Sequence, residues 1–343
     1  MKRFLSIFIA FLAFAPTFGQ FAPAAGETGS TAIHKDDVSF KGWAKTCKVI
    51  RGFINISDTS KTFTQNPTTS NRAFFGTEAM AIGQPGGPLD CISLGDGGSA
   101  VLTFDFPAKN GPGPDFAIFE NGIKEQESPF QYFLELGFVE VSTNGKRYVR
   151  FPAVSNTLAK DQITSFGQID PTKIHNFAGK YVANYGTPFD LEDIKDSTGI
   201  NLDSVNYIRI VDVVGNVDPK FARYDSKGQV INDPFPTEFW TGGFDLDAVG
   251  LININREISN YESLNKGSFK VYPNPAKSGE AISIEGVDDA AIRLCSQAGK
   301  VLGDWKVNRQ EVLTMNLPEL ATGLYLLTVR SSKNIQTIKL LVK

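Results

Sequence analysis

The sequence contains few of the side chains on which most metal and nucleophile chemistry depends. Its 343 residues include 2 His and 3 Cys, and these do not have the spacing of a zinc site. No run of basic residues occurs and the net charge is −3, which argues against binding driven by neutralisation of nucleic-acid phosphates. Beyond the N-terminal region, no apolar stretch is long enough to span a bilayer. We therefore expect neither a nucleic-acid-binding protein nor a transmembrane segment.

The residues that are abundant indicate β-structure. Hydrophobic residues make up 41% of the chain and aromatic residues 11%, which is too apolar for a disordered protein. Among the aromatic residues 27 are Phe, and 32 Gly with 18 Pro indicate many turns. This composition favours an all-β fold over a helix bundle, and the length allows about two domains.

The N-terminus has the pattern of a secretory signal peptide. Lys2 and Arg3 precede an almost wholly apolar segment, residues 4–14, and weakly polar residues follow up to Gly19. A membrane anchor would need about 20 apolar residues, and Pro16 interrupts the segment too early. We expect residues 1–19 to be removed on secretion, and residues 20–36, which are small and polar, to form a flexible lead-in.

The last quarter of the chain reads as a separate small β-sandwich. Short β-type runs alternate with turn residues; the runs are Ala281–Ile284, Ala291–Cys295, Val312–Met315, Leu324–Val329 and Ile335–Val342. The segment resembles the type A C-terminal sorting domain of the type IX secretion system, and the matching pieces are Tyr272-Pro273-Asn274-Pro275-Ala276, Gly299-Lys300-Val301, Leu317-Pro318, Gly323-Leu324-Tyr325 and Lys339-Leu340-Leu341-Val342-Lys343. The resemblance implies an immunoglobulin-like sandwich over 268–343, after a linker at 259–267. It also implies a translocon partner and an outer-surface or extracellular location.

The central region, residues 37–258, carries strand-like runs separated by Gly, Pro and Asn, with no alternating helices. This pattern predicts a jelly-roll-like antiparallel β-sandwich. One short helix is expected near Asp190, which can cap it. The region also resembles a family of bacterial secreted and cell-surface β-proteins of unassigned function, through segments that include Gly111-Pro112-Gly113-Pro114-Asp115-Phe116, Gly186-Thr187-Pro188-Phe189-Asp190-Leu191 and Gly242-Gly243-Phe244-Asp245-Leu246-Asp247. The last of these also resembles jelly-roll carbohydrate-binding modules.

Several acidic residues are candidates for calcium ligands. Asp245 and Asp247 are two apart on one predicted strand, so both point to the same face, where a cation would relieve their repulsion. The candidate ligands are Asp115, Glu120, Asp212, Asp245 and Asp247. The alternative is that these carboxylates accept backbone N–H bonds in turns or pair with Arg209 or Arg223. No EF-hand spacing decides between the two readings.

The sequence contains few residues that could serve as catalytic groups. Of the two histidines, His34 lies in the polar lead-in and His175 in a loop, where a surface role is the commoner one. Glu135 and Glu140 share the outer spacing of a Glu-x-Asp-x-x-Glu motif of jelly-roll glucanases, but Gly137 replaces its central Asp. No catalytic residue is assigned, and a glycoside hydrolase with a carboxylate pair stays the alternative.

Cys47 and Cys91 both lie in the exported region, so a disulfide between them is expected.

Aromatic residues near turns offer a binding surface. Phe239 and Trp240 precede two glycines, and Tyr181 and Tyr185 flank a loop. They could stack on a sugar or another flat ligand, or cap the core. The sequence therefore predicts a surface-exported, non-enzymatic protein that binds a glycan or an uptake ligand. A structural or adhesive surface component is a further alternative.

Overall fold

The computed structural model describes residues 21–124, 132–256, 269–285, 289–297, 300–307, 312–331 and 335–343. The predicted signal peptide, residues 1–19, and the predicted linker, residues 259–267, lie outside the described residues. Contacts divide the chain into two compact units, residues 1–257 and 258–343. We call them the central unit and the C-terminal unit.

The described part of the central unit contains short and medium β-strands together with three 3-10 helices. The strands are β1 (Ile33–His34), β2 (Gly42–Trp43), β3 (Thr46–Ile50), β4 (Phe63–Gln65), β5 (Thr68–Ser70), β6 (Ile92–Ser93), β7 (Ser99–Ala108), β8 (Phe116–Glu120), β9 (Ile123–Lys124), β10 (Tyr132–Phe133), β11 (Gly137–Ser142), β12 (Val149–Arg150), β13 (Val154–Ser155), β14 (Ile174–His175), β15 (Tyr185–Phe189), β16 (Val205–Asp212) and β17 (Asp245–Leu251). The 3-10 helices are Glu78–Ala81, Pro171–Lys173 and Leu191–Ile194.

Two antiparallel sheets form the body of the central unit. One has the order β1-β15-β8-β17-β2, with β6 also paired to β17, and the other has the order β12-β11-β16-β7-β3. Apolar side chains from both sheets share one buried cluster, in which Phe116, Ile118 and Val249 come from the first sheet and Leu102, Val139 and Ile208 from the second. This arrangement confirms the predicted all-β sandwich.

A second buried cluster supports the loops that leave the second sheet. Phe138 of β11 packs with Phe177, their ring centroids 5.7 Å apart, and Leu134, Ile169 and Ile231 belong to the same cluster. Long connections are therefore anchored by apolar side chains of their own, and they hold the polar loops described below.

The helix expected near Asp190 is confirmed as one turn of 3-10 helix. The Asp190 side chain accepts a hydrogen bond from the backbone N–H of Glu192 at 2.9 Å, as an N-cap residue does.

Residues 21–36 are packed against the sandwich, which differs from the expected flexible lead-in. Ile33 and His34 form β1, which pairs with Gly186 and Tyr185 of β15. Ala24 is buried, and the ring of Phe21 stacks on the ring of His175 at 5.1 Å. The small, polar composition had suggested mobility, but small residues also let a segment lie flat along the edge of a sheet.

The C-terminal unit is a separate sandwich of two antiparallel sheets. Its strands are β18 (Lys270–Tyr272), β19 (Ala281–Glu285), β20 (Ala290–Ser296), β21 (Val301–Val307), β22 (Val312–Asn316), β23 (Gly323–Ser331) and β24 (Ile335–Val342). The sheet orders are β18-β19-β22 and β21-β20-β23-β24, and the core between them is apolar, with Ile284, Ile292, Leu294, Leu327 and Leu340 among its members. The small sandwich predicted for this region is therefore present.

In the part of the chain that the structure describes, we find no helix with the length and apolar character needed to cross a membrane.

Candidate functional site

Asp115 and Asp212 organise turns of the central unit. The Asp115 carboxylate accepts hydrogen bonds from the backbone N–H groups of Gly111 (2.8 Å) and Leu191 (2.7 Å) and from the side-chain amide of Asn253 (2.8 Å). Both of its oxygens are used in this way. These contacts are the ones expected if Asp115 accepts hydrogen bonds in turns, which is the alternative to calcium ligation.

Asp212 plays a similar part at the end of β16. Its two oxygens accept from the backbone N–H groups of Gly97 at 2.9 Å and Phe244 at 2.8 Å. Burial and, to a smaller extent, the negative charge of Asp96 together raise the pKa of Asp212 to about 8. Asp212 therefore joins the turn that precedes β7 to the segment that precedes β17.

Glu120 and Asp245 lie near each other where β8 and β17 pair, and the negative charge of Asp245 adds to the rise in the pKa of Glu120. Asp245 accepts a hydrogen bond at 3.0 Å from the amide of Asn121, which also contacts the sulfur of Cys91. Glu120 accepts from the backbone N–H of Gly122 at 2.8 Å. One oxygen of each carboxylate, Oε1 of Glu120 and Oδ1 of Asp245, is buried without a hydrogen-bond partner among the described residues. Burial is the main cause that raises the pKa of both groups, for Asp245 to about 6.

Asp247 has a separate environment on the same strand. Its Oδ1 accepts from the backbone N–H of Gly86 at 3.3 Å, and its Oδ2 has no partner among the described residues. Burial raises its pKa to about 7, and Asp90 acts in the same direction. The pairing of β17 with β8 shifts register between Leu246 and Ala248, which makes Asp247 the extra residue of a β-bulge.

The five acidic residues do not converge on one point. Among the described residues, no group of three or more His, Cys, Asp or Glu side chains is placed to hold a metal ion. Three of the five, Glu120, Asp245 and Asp247, still have an unpartnered buried oxygen. Calcium binding by these residues stays a prediction.

The two glutamates that could have formed a hydrolytic pair differ in their surroundings. Glu140 is held by two guanidinium groups, those of Arg150 (2.8 Å) and Arg209, in ion pairs across β11 and its two neighbours. Glu135 is buried, which raises its pKa well above the ordinary value, and the negative charge of Asp245 adds to the effect. Glu140 is therefore occupied by an ion-pair network, and the structure offers no support for a matched acid–base pair.

The expected disulfide is not formed. Cys47 and Cys91 are both buried free thiols. Cys47 belongs to β3 of the second sheet, whereas Cys91 lies just before β6 and contacts Asn121 beside the first sheet. The two thiols are not bonded to each other, so the sequence argument from secretion alone was wrong for this pair.

The predicted aromatic ligand residues separate into two groups. Tyr181 is buried, and its hydroxyl lies 2.8 Å from Oγ1 of Thr31. Tyr185 is half-buried on β15 and meets the ring of His34 edge-on at 5.1 Å. These two tyrosines hold the N-terminal segment against the sheet, so packing accounts for their contacts.

Phe239 lies in a row of four phenylalanine rings from distant parts of the chain. Its ring centroid is 5.3 Å from that of Phe166 and 6.4 Å from that of Phe63, and Phe166 is 6.3 Å from Phe133. Phe166 is 69% exposed, and the other three are half-buried. We call Phe63, Phe133, Phe166 and Phe239 the aromatic ridge.

Sequence reasoning identified Phe239 but missed the other three members of the ridge. No local pattern marks them, because they lie on the β4–β5 hairpin, on β10 and in a loop. Trp240, the neighbour of Phe239, packs instead on Phe75 at 5.0 Å. Its backbone carbonyl accepts hydrogen bonds from the N–H groups of Phe74 and Phe75. Trp240 therefore anchors the segment that carries Phe239.

A polar group borders the ridge next to Phe239. The carboxylate of Glu238 accepts a hydrogen bond at 2.7 Å from the side-chain amide of Asn55. Asn55 in turn accepts hydrogen bonds from the backbone N–H groups of Ser57 and Asp58. The ridge thus has one exposed and three half-buried rings, and the carboxylate of the residue before Phe239 is held in place by Asn55.

Comparisons with known proteins identify the C-terminal unit. Residues 270–343 match the family model described as "Secretion system C-terminal sorting domain". None of the curated proteins compared with the sequence matches it.

Solved structures that are similar to the chain resemble it only at a distance. One is a β-glucuronidase from Ruminococcus gnavus in complex with N1-substituted uronic isofagomine, at 11% identity and a TM-score of 0.21, covering 88% of this chain and 46% of that chain. The other is the BSP domain of a biofilm associated protein, at 12% identity and a TM-score of 0.18, covering 71% of this chain and 48% of that chain. The chain spans about half the length of these solved chains, and the low TM-scores carry no argument about activity.

The C-terminal match confirms the sorting-domain prediction made from Tyr272-Pro273-Asn274-Pro275-Ala276 and the other motifs of that region. The match indicates that residues 270–343 serve as the sorting signal of a secretion system. The protein carries a C-terminal sorting domain of a secretion system, and it is exported to the outer cell surface or the extracellular space.

Proposed function

We propose that the exported central unit is a non-enzymatic glycan-binding module and that the aromatic ridge is its binding surface. The observation that carries this proposal is the contact of four phenylalanine rings in one row, with one ring 69% exposed and the other three half-buried. An exposed apolar patch with a polar border marks an interaction site.

The geometry of the ridge suits a chain of sugar rings better than one flat ligand. Neighbouring ring planes are tilted by 36° between Phe166 and Phe239 and by 41° between Phe133 and Phe166. A rigid planar ligand could lie flat on one of these rings at most, whereas successive sugars of a polysaccharide turn relative to one another. The Glu238 carboxylate beside Phe239 can accept hydrogen bonds from sugar hydroxyls.

Hydrolysis has no comparable support. The ion pairs of Glu140 with Arg150 and Arg209 keep that carboxylate engaged, and no specific observation favours a second function. Calcium stabilisation is a separate part of the proposal, which the unpartnered oxygens of Glu120, Asp245 and Asp247 support.

The proposal is tested by native electrophoresis of the full chain through gels that contain xylan, laminarin or pectin. We expect at least one polysaccharide to retard the protein, and Phe166→Ala and Phe239→Ala each to weaken the retardation by about threefold to tenfold, the loss of one stacked ring. Tyr224→Ala removes a 50% exposed aromatic side chain outside the ridge and is the matched control. Equal retardation of all three variants and the parent chain would remove the ridge from consideration.

A further inference from the structure

A second concave site lies elsewhere on the central unit, between the N-terminal segment and β15. It is a cleft of about 300 Å³, with walls that include Phe21, His175 and Pro188 and a floor that includes Lys180 and Thr187. We call it the Phe21 cleft. Its volume is at the small end of ligand-binding pockets, so an occupant would have about the size of one sugar ring.

The floor of the cleft holds a buried hydroxyl with nothing to bond. Thr187 is 3% exposed, and its Oγ1 has no hydrogen-bond partner among the described residues. Such a group costs free energy when it is left unpaired. Thr187 pairs with Ile118 of β8 through its backbone, and its unpaired hydroxyl marks a position where a ligand atom would be stabilised.

The same floor holds a buried amine. Lys180 is 4% exposed, and its Nζ donates to the backbone carbonyls of Pro171 at 2.8 Å and Ile174 at 2.6 Å. Those two bonds use two of the three N–H groups of an ammonium. None of the ion pairs between described residues includes Lys180, and burial lowers its pKa to about 8. At neutral pH a largely charged amine therefore lies in the protein in contact with two carbonyl groups and near the ring of Tyr181, and Asp170 is the carboxylate that acts on its charge.

A buried ammonium and an unpaired hydroxyl are both relieved by one kind of ligand group. A carboxylate can accept from Lys180 and from Thr187 at once, because it offers two oxygens and about four acceptor positions. A neutral hydroxyl would satisfy Thr187 but would add no negative charge beside Lys180.

The rim of the cleft limits what the rest of the ligand can be. Asp190 and Asp193 line the rim, and each has one oxygen in a hydrogen bond within the protein, to the N–H of Glu192 and to the side-chain amide of Asn176 respectively. Two carboxylates at the mouth repel a ligand with several negative charges, and they accept hydrogen bonds from hydroxyl groups.

We propose that the Phe21 cleft binds a monosaccharide-sized molecule with one carboxylate and several hydroxyls, as in a uronic acid residue. The carboxylate contacts Lys180 and Thr187 at the floor, the hydroxyls contact Asp190 and Asp193 at the rim, and the sugar ring packs against Phe21 and Pro188. The inference is independent of the aromatic ridge, because it rests on different residues.

The test is isothermal titration calorimetry of the full chain with D-glucuronate, D-glucose and acetate as probes. We expect D-glucuronate to bind with a Kd of about 1 mM or tighter, and D-glucose and acetate each to bind at least about tenfold more weakly. D-glucose lacks the charge, and acetate lacks the hydroxyls and the ring. No saturable heat with D-glucuronate, or equal binding of D-glucose, would overturn the proposal.

Single substitutions at the floor of the cleft test whether D-glucuronate binds there. Thr187→Val keeps the shape of the side chain and removes no hydrogen bond from the free protein, and Lys180→Met removes the charge with similar length. Each should weaken D-glucuronate binding by about tenfold or more, since each removes a hydrogen bond to a charged group. Lys173→Met, at an exposed lysine of the adjoining 3-10 helix, is the matched control, and Phe166→Ala should leave this binding unchanged. Unaltered affinity in Thr187→Val, with a thermal midpoint equal to that of the parent chain, would contradict the assignment even if Lys180→Met failed to fold.

Discussion

The two units of the chain bury different kinds of side chain. The core of the C-terminal unit consists of apolar residues, and every buried polar or charged residue found in the described part of the chain lies in the central unit. These buried polar residues include Glu120, Glu135, Asp233 and Asp245, whose carboxylates titrate abnormally because burial removes them from water. A buried polar group costs free energy unless it is paired.

This difference shows that buried polar groups, which cost folding free energy, are concentrated in the central unit. The C-terminal unit needs only to fold and be read by the secretion system, and an apolar core is sufficient for that. Among the described residues, the central unit carries all but one of the unpartnered buried side-chain oxygens, the exception being Oε1 of Gln336, and it also has a partly exposed aromatic ridge and a polar cleft. Such features concentrate at binding sites.

The largest effect that we expect is a loss of stability in the C-terminal unit when a cavity is made in its apolar core. Leu294→Ala opens a cavity in the C-terminal unit, where this residue is fully buried, and we expect it to lower the free energy of unfolding of that unit by about 3 kcal/mol. Scanning calorimetry of the full chain should show one transition shifted down and the transition of the central unit unchanged. Leu341→Ala, at a 39% exposed position of β24, is the control. A shift of both transitions would mean that the two units do not unfold separately.

The second-largest effect that we expect is on the pH dependence of stability, which should be stronger for the central unit than for the C-terminal unit. Burial raises the pKa of Asp245 to about 6, that of Asp247 to about 7 and that of Asp212 to about 8, all from 3.8. Between the unfolded and the folded pKa values, the folded state binds more protons than the unfolded state. The free energy of unfolding therefore falls as pH rises from about 4 to about 8.

We expect the thermal midpoint of the central unit to be several degrees higher at pH 5 than at pH 8, and the C-terminal unit, which has no buried carboxylate among its described residues, to change less. Asp247→Asn should reduce the slope, whereas Asp105→Asn at an exposed ion pair with Lys45 should leave it unchanged. A central unit that is more stable at pH 8 than at pH 5, without added cations, would contradict the assigned burial.

Calcium should give a smaller effect, confined to the central unit. If a cation satisfies the free oxygens of Glu120, Asp245 or Asp247, millimolar calcium should raise the midpoint of that unit by a few degrees relative to excess chelator. Asp245→Asn and Asp247→Asn show which carboxylate is responsible. Identical curves in calcium and in chelator would remove calcium from the account.

Much of the fold could be predicted from local pattern. The run Ile335–Val342 is a strand with the expected bounds, because alternation or continuous apolar character is decided within a few residues. Strand β21, Val301–Val307, was not predicted, since Gly303 and Asp304 interrupt its apolar pattern. It forms because pairing with β20 supplies the hydrogen bonds, a tertiary effect that local sequence does not contain.

The candidate sites were less accessible to sequence reasoning. Acidic residues such as Asp115 could be recognised as special, but whether they bind a cation or backbone N–H groups depends on which loop folds over them, and for Asp115 that was the segment at Leu191. The aromatic ridge brings together four phenylalanines that are far apart in sequence. In the Phe21 cleft the informative feature is that the hydroxyl of Thr187 has no hydrogen-bond partner among the described residues, and no sequence motif indicates such a feature.

A double-mutant cycle on the ridge tests the central claim most directly. The affinity of the full chain for the polysaccharide that retards it is measured for the parent chain, Phe166→Ala, Phe239→Ala and the double variant. Because the two rings lie 5.3 Å apart and would contact the same stretch of sugar, we predict that each single variant loses about threefold to tenfold in affinity and that the two losses are not independent. Four equal affinities would contradict the account, because the exported central unit would then bind its ligand without the aromatic ridge.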